Sequence, residues 1–311
     1  MRGLLPNPEF AVPVDAFDMG PEILDNVCRT LGCSRTDLSD FVPVPEGLTN
    51  VSFRFGVNGQ QFVYRHPGRA TQGILDRAAE AQAESIACEL GLDATFVYLD
   101  PGTGWKISRF YTVTGPFDYH DPAHVRAALT AVRTLHDCGR VINHACDLLA
   151  GANDLVERLR ADGACLDNAD LDAMMSVANR LDALCKADGI APVLCHNDFY
   201  APNILISDAG VALIDWEYAG MGDAAADLGT FICCSDYTWD EALGVFDVYF
   251  GRPPTTAELR HGVAFVGLAG FFWWVWAMFK DACGEPVGQW ESRWYHYARE
   301  FGHRALEMYA C

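Results

Sequence analysis

Positive charge is scarce in this chain. Lys and Arg number 22 against 42 Asp and Glu over 311 residues, a formal net charge of −20. A sequence-independent nucleic-acid binder needs basic side chains to neutralise phosphates, so the balance argues against that class. It suits a cationic small molecule, whose local concentration an acidic surface raises. No CxxC pair occurs among the twelve cysteines. No four-ligand spacing presents itself either, and a zinc site is not expected. Cys88, Cys138 and Cys195 sit in apolar or helical patterns and Cys233 and Cys234 are adjacent, which reads as free buried thiols in a reducing cytosol. The first residues, MRGLLPNPEFAVPVD, lack the apolar run of a signal peptide, so a cytoplasmic chain is expected. Internal repeats and low-complexity tracts are also missing. A glycine-rich GxGxxG loop is absent. One run, VAFVGLAGFFWWVWAMF at residues 263–279, is barely long enough to span a bilayer. Its tryptophans lie well inside the run, whereas spans enrich them at the interfaces. A buried helix is the expectation, with a membrane anchor as the dissenting reading.

What is present reads as an ordinary globular chain, 50% hydrophobic and 21% charged, long enough for one large domain or two lobes. The first hundred residues are β-rich with helices interleaved. A helix is expected over 19–31. Strands over 51–57 and 60–65 flank Asn58-Gly59, whose residues suit the two positive-φ positions of a hairpin turn. A helix follows over 76–90, stopped at Gly91, then a second hairpin over 95–99 and 105–111. After about residue 114 the texture is helical. Asp121-Pro122 caps and starts a helix to His136. Further helices are expected at 153–161 and 169–187. Short strands at 204–207 and 211–215 are joined by Asp208-Ala209-Gly210. Thr255 and Glu258 form a capping box, and a last helix covers 288–308. The fold class expected is α+β: a β-rich N-terminal lobe over 1–110 and a mainly helical C-terminal lobe over 111–311.

The stretch HNDFYAPNILISDAGVALIDWEY, residues 196–218, carries more polar groups than a strand-turn-strand needs. Phosphoryl transfer requires a carboxylate beside the attacking hydroxyl, oxygen ligands for Mg²⁺ and a cation on the nucleotide phosphates. His-x-Asp-x-x-x-x-Asn supplies the first two as His196, Asp198 and Asn203, and the hairpin carries Asp215 back to the same place. Two hard oxygen ligands, with phosphates and water completing an octahedron, is how Mg²⁺ is usually held. A lone HxD would be weak; the whole spacing is specific.

HNDFYAPNILI and LIDWEYAG resemble motifs of the choline/ethanolamine kinase family, within the wider aminoglycoside-phosphotransferase-like and protein-kinase-like group. GLTNVSFRF resembles its phosphate loop, FVYRHPG its strand ending in Arg, and DRAAEAQ with ACELGLDATFVYLDPGTGWKISRF its helix, strands and hinge. FFWWVWAMF and WYHYA resemble its substrate pocket, so the likeness covers most of residues 45–300. It implies a bilobal protein-kinase-like fold. It implies Asp198 as the group that orients the acceptor hydroxyl and takes its proton, and Asn203 and Asp215 as Mg²⁺ ligands. Glu217 would serve metal or substrate ammonium, and Asp227 in ADLGTF would brace the catalytic loop. ATP contacts would come from Leu48, Thr49, Asn50, Arg65 and the hinge Arg109, Phe110 and Tyr111. Glu80 would anchor Arg65, with Glu84 one turn away on the same face. With GxGxxG missing, the backbone of Gly47 to Asn50 must cradle phosphate.

The acceptor is set by the C-terminal aromatics. Trp273 and Trp276 are three residues apart, as are Trp294 and Tyr297, so each pair shares a helix face. Aromatics at helical spacing are core by default. The two pairs could box a quaternary ammonium, with Tyr218 as a wall, each face contributing roughly 0.5–2 kcal/mol when dry. The resemblance favours this reading because Trp273, Trp276 and Tyr297 fall where the family's choline pocket has aromatics. Tyr237 and Trp239 are further candidates, and Trp274 is read as packing. The expected activity is ATP-dependent phosphorylation of choline. Ethanolamine kinase, another small-alcohol or aminoglycoside kinase, and a non-catalytic choline-binding pseudokinase stay open, as does a homodimer.

Overall fold

The computed structural model describes residues 21–44, 50–67, 75–163 and 169–311. Two compact units divide the chain: the described residues of Met1–Arg77 with Ala94–Tyr111, and Ala78–Asp93 with Thr112–Cys311.

The first unit is a five-stranded sheet with one helix. Helix α1 (Pro21–Leu31) is followed by β1 (Leu38–Val44), β2 (Asn50–Val57), β3 (Gln60–Pro67), β4 (Phe96–Leu99) and β5 (Lys106–Arg109). Strand order is β1-β2-β3-β5-β4 and every pairing is antiparallel. Asn58 and Gly59 both adopt positive φ, 51° and 80°, which is the geometry expected at that hairpin. The register sets Phe53 opposite Tyr64 and Phe55 opposite Phe62. Their rings stack with centroids 5.1 and 5.7 Å apart. With Val27, Val57, Trp105 and Ile107 they form the core of this unit. β1 was not anticipated. Its sequence LSDFVPV carries Pro43 and a bulge at Asp40 (φ 55°) and lies at the sheet edge. Edge strands are blunted in this way, which erases the alternation a strand is recognised by.

The second unit holds α2 (Arg77–Glu89) and everything from α3 onward: α3 (Pro122–His136), α4 (Leu148–Ala161), α5 (Ala169–Asp188), β6 (Val193–Cys195), β7 (Ile204–Ser207), β8 (Gly210–Leu213), β9 (Gly220–Gly222), α6 (Ala224–Cys233), α7 (Trp239–Phe250), α8 (Thr256–Ala282) and α9 (Gln289–Ala310). Asp121 caps α3 by accepting from Ala123 N–H, and Thr255 with Glu258 forms the capping box of α8. Helix α4 begins five residues before the expected 153, because Asp147 caps it through Ala150 N–H at 3.0 Å. The expected strand 211–215 stops at Leu213. Asp215 has φ 67° and leaves the ladder. Helix α8 is the one described helix long and apolar enough to cross a membrane, and 83% of its most apolar window is buried inside the protein. It meets α9 at very close range. A Cβ on Gly267 would stand 2.8 Å from the Gly302 backbone, and one on Gly270 would stand 2.6 Å from Ala298 N. Only glycine allows this approach, and it brings the tryptophans of the two helices together.

The expectation of buried thiols holds in part. All eleven described cysteines are free; Cys185, Cys195, Cys233 and Cys234 are buried, while Cys88, Cys283 and Cys311 are exposed. Cys88 lies on the solvent side of α2 and the other two follow helix ends.

Candidate functional site

β6 and β9 pair as a short ladder from Val193↔Gly222 to Cys195↔Gly220, and the polar motif leaves from its end. His196, Asn197 and Asp198 are all buried. Their backbone is anchored by Asp227 in the first turn of α6, itself completely buried. One Asp227 oxygen accepts from Asn197 N–H (2.5 Å). The other accepts from His196 N–H (2.9 Å) and from His136 Nε2 (2.8 Å). His136 Nδ1 pairs with the Tyr249 hydroxyl at 2.8 Å. Cys195 brings its sulfur within 4.8 Å of His136 and Asp227. The carboxylate there is already filled by three donors, so this trio is an anchor. Bracing by Asp227, expected from the motif ADLGTF, is what the geometry shows.

Two residues here occupy the left-handed region, Asn197 (φ 63°) and Asp215 (φ 67°). Asn and Asp tolerate it best among side-chain-bearing residues. His196 joins the two bends. Burial holds its pKa below the ordinary value. Its neutral ring donates from Nε2 to Ile214 O (3.0 Å) and accepts at Nδ1 from Asp198 N–H (3.3 Å). Trp216 packs on the ring with centroids 4.5 Å apart and donates to Leu213 O and Asp93. The neighbour of each acidic candidate is thereby fixed: Asp198 through its own amide, Asp215 through Ile214.

Asn203 ends a single 3-10 turn, Ala201–Asn203, before β7. Its Nδ2 donates to Asp198 Oδ2 (2.8 Å) and to Asp198 O (2.9 Å), and its carbonyl accepts from Ile214 N–H (3.0 Å). The side-chain nitrogen is committed to Asp198, which leaves the side-chain oxygen as the ligand atom for a hard cation. Asp198 is held well above the ordinary carboxylate pKa, first by burial and then by the negative charges of Asp215 and Glu217. Glu217 is buried as well. Crowded carboxylates with a raised pKa are what a divalent cation relieves. The donor set therefore fits Mg²⁺.

Beyond the carboxylates lies an aromatic cluster. Trp273 and Trp276 on α8 meet Trp294 on α9, with centroids 5.8 and 6.1 Å away, and Tyr218 stands edge-on to Trp273 at 5.7 Å. Each indole N–H is used: Trp273 donates to Thr230 Oγ1 (3.2 Å), Trp276 to the Tyr218 hydroxyl (3.1 Å) and Trp294 to Cys234 Sγ (3.3 Å). The three tryptophans are buried, and burial raises the pKa of Tyr218. Tyr297 is placed differently. It stacks on Phe301 at 5.2 Å and donates to Tyr237 O at 3.0 Å. Trp239 packs on Phe301 with the Arg304 guanidinium 4.1 Å from its ring centroid, and Trp274 packs on Tyr295. Sequence reasoning missed Trp290, which stacks on Trp294 at 5.5 Å under Arg293. Its one-turn spacing from Trp294 was the available signal. It also missed Lys280, whose ammonium pairs with Glu285 and lies 5.6 Å from the Trp276 ring.

The nucleotide candidates are placed as follows. Leu48 and Thr49 lie outside the described residues, and so does the side chain of Asn50. Arg65 is buried on β3, while Glu80 and Glu84 are both buried on α2, so neither glutamate is a solvated surface charge. Arg109 N–H donates to Thr95 O (2.7 Å) and Phe110 N–H to Gln61 O (2.8 Å), which commits both amides to the sheet. Phe110 is exposed, with the Arg54 guanidinium 5.0 Å from its ring centroid, and Tyr111 follows it.

Residues 40–261 match the phosphotransferase enzyme family. The chain is 22% identical to protein LicA of Haemophilus influenzae over 252 residues, 78% of this chain and 74% of that protein. Among solved structures, a choline/ethanolamine kinase family protein from Mesorhizobium loti superposes with a TM-score of 0.71 at 23% identity, over 92% of this chain and 95% of that one. Choline kinase LicA from Streptococcus pneumoniae superposes with a TM-score of 0.76 at 18% identity, over 91% of this chain and 98% of that one. These superpositions give the fold: strands in the N-terminal region, helices after it, in the protein-kinase-like arrangement.

Proposed function

The chain belongs to the phosphotransferase enzyme family, and on that premise we propose that it transfers the γ-phosphoryl group of ATP to the hydroxyl of choline, giving phosphocholine and ADP. Asp198 orients the choline hydroxyl and takes its proton as oxygen attacks phosphorus in line. Burial, the first cause of its raised pKa, makes it a better base than an exposed carboxylate. Asn203 and Asp215 hold Mg²⁺, which supplies charge neutralisation for the phosphates. Asp227 contributes by fixing the backbone on which Asp198 rides. Arg65 and the hinge residues Arg109, Phe110 and Tyr111 are the proposed nucleotide contacts, with Glu80 as the partner for Arg65.

The observation that carries the choice of acceptor is the hydrogen-bond state of the tryptophans. The three indole N–H groups already occupy Thr230 Oγ1, the Tyr218 hydroxyl and Cys234 Sγ, so the acceptors within the cluster are taken and the ring faces are what it offers. A primary ammonium needs acceptors for its N–H bonds; a trimethylammonium needs none and gains from aromatic faces. This supports choline over ethanolamine. The aromatic faces also weigh against an aminoglycoside, whose several ammonium groups call for acidic groups around a wide cleft, though the net charge does not.

The test is an ADP-release assay with Mg²⁺-ATP and choline, ethanolamine or kanamycin, with Asp198→Ala as control. Choline-dependent turnover lost in the variant is expected. Turnover with ethanolamine or kanamycin alone would keep the phosphotransfer chemistry and remove the cage.

A further inference from the structure

The turn that sets Asn203 is held from outside the motif. Ala201 N–H, its first amide, donates to the Tyr119 hydroxyl at 3.0 Å. Tyr119 belongs to the segment GPFDYHDP ahead of α3. Its ring is packed edge-on against Phe231 (4.9 Å) and Phe117 (5.2 Å), so its hydroxyl has a fixed position. The backbone carbonyl of Tyr119 accepts from the Tyr237 hydroxyl at 2.5 Å. The carbonyl of Tyr237 in turn accepts from Tyr297 on α9 at 3.0 Å. Tyr297 lies three residues beyond Trp294, a member of the tryptophan cluster. An unbroken series of contacts therefore runs from α9 through Tyr297, Tyr237 and Tyr119 to the turn that ends in Asn203.

We propose that Tyr119 is a positioning residue for Asn203 and that, with Tyr237, it couples acceptor binding beside α9 to cation affinity at Asn203. The proposal rests on the reading of Asn203 as a cation ligand. The Tyr119 hydroxyl supplies the acceptor that keeps Ala201 N–H satisfied in a partly buried turn. Without it the amide must find another partner, and the turn that aims the Asn203 side chain moves. The link to Tyr237 uses the Tyr119 carbonyl, so the two functions separate by substitution: Tyr119→Phe removes the acceptor for Ala201 N–H and keeps the carbonyl, and Tyr237→Phe removes the donor to that carbonyl and keeps the Tyr119 hydroxyl.

The experiment is Mn²⁺ binding to the full chain in the presence of ADP, read by electron paramagnetic resonance with and without choline, alongside thermal unfolding. Tyr119→Phe keeps the packed ring and is expected to weaken Mn²⁺ about tenfold, the scale of a lost acceptor at a buried amide. A purely structural role would lower the unfolding temperature and leave Mn²⁺ affinity of the folded protein unchanged, which would overturn the assignment. Asn203→Ala calibrates the reading beneath it. If that variant binds Mn²⁺ like the wild type, the ligand assignment itself fails, whatever Tyr119 does. Choline is expected to tighten Mn²⁺ in the wild type, and Mn²⁺ with ADP to tighten choline by the same factor. Tyr237→Phe should abolish that coupling while leaving Mn²⁺ affinity without choline within about twofold of wild type, since only the link is cut. Coupling that survives in Tyr237→Phe, or is missing from the wild type, overturns the relay. Should Tyr119→Phe not fold, the Tyr237→Phe comparison still decides the coupling.

Discussion

The hairpin that carries Asp198, Asn203 and Asp215 and the tryptophan cluster of α8 and α9 are held in opposite ways. The hairpin is fixed by directional contacts. Nearly every polar group in it has a named partner, from Asp227 under the loop to His196 between its two bends. The cluster is fixed by ring packing, by a helix crossing close enough to demand Gly267 and Gly270, and by one hydrogen bond per indole. Loss of one partner in the hairpin should therefore propagate through the whole motif. Loss of one ring in the cluster should stay local.

The sharpest way to break this comparison is at Asp227. In Asp227→Asn one carboxylate oxygen becomes an NH₂ facing a backbone or imidazole N–H, donor against donor. The expected outcome is a loss of about 3 kcal/mol of stability, as for breaking a buried charge-assisted network, and a fall in kcat of about 10²-fold from misplacement of Asp198. Urea unfolding and steady-state kinetics on the folded fraction read the two separately. An unchanged kcat with reduced stability would mean that Asp227 holds the fold and not the site.

The cluster is tested at Trp276. Trp276→Leu is expected to raise KM for choline about tenfold, with kcat within about twofold, because the ring contributes binding through its face. The neutral isostere 3,3-dimethylbutan-1-ol, measured as a competitive inhibitor, separates charge from shape. Its affinity should change much less than that of choline. Equal losses for both would reduce Trp276 to packing and return the cluster to ordinary core.

The same contrast explains what could be read in the sequence. The hairpin lies in one contiguous segment, so the spacing of His196, Asp198, Asn203 and Asp215 displays it, and the Asn-Gly turn displays the first β-hairpin for the same local reason. Members of the cluster come from α8, α9 and the segment after β8. The helical spacings of Trp273 with Trp276 and of Trp294 with Tyr297 were visible, and the resemblance placed Tyr297 in the cage where the structure stacks it on Phe301. Tyr119, Cys234 and Thr230 have no local signal at all: each acts through hydrogen bonds to groups far away in the chain. β1 was hidden because an edge strand with Pro43 and a bulge does not alternate.

The smallest effect on turnover is expected at His261, where the two modes meet. His261 rises from the apolar helix α8, yet it is held by charge. Its Nδ1 donates to Asp188 at the end of α5 and its Nε2 to Asp223, the N-cap of α6, each at 2.9 Å. Burial opposes the charge, but the hydrogen bonds to Asp223, Cys185 and Asp188 outweigh it and lift the pKa to about 10. The unfolded imidazole titrates near its ordinary 6.5, so between the two values the folded protein binds the extra proton. Stability then falls as pH rises. The contribution is complete below the unfolded value and is lost as pH climbs through the folded one. Asp188 and Asp223 are the carboxylates facing the ring, and Arg260 and Tyr309 share Asp188. Denaturant midpoints measured from neutral to strongly alkaline pH should decline smoothly in the wild type, and the slope should flatten in His261→Gln. Asp223 caps the helix that bears Asp227 through its other oxygen, which accepts from Ala225 N–H, so kcat per folded molecule should stay level over the part of that range in which the protein remains folded. A decline in kcat that runs ahead of unfolding would mean that α8 transmits its charge state to the catalytic loop, and the two regions would then be one mechanical unit.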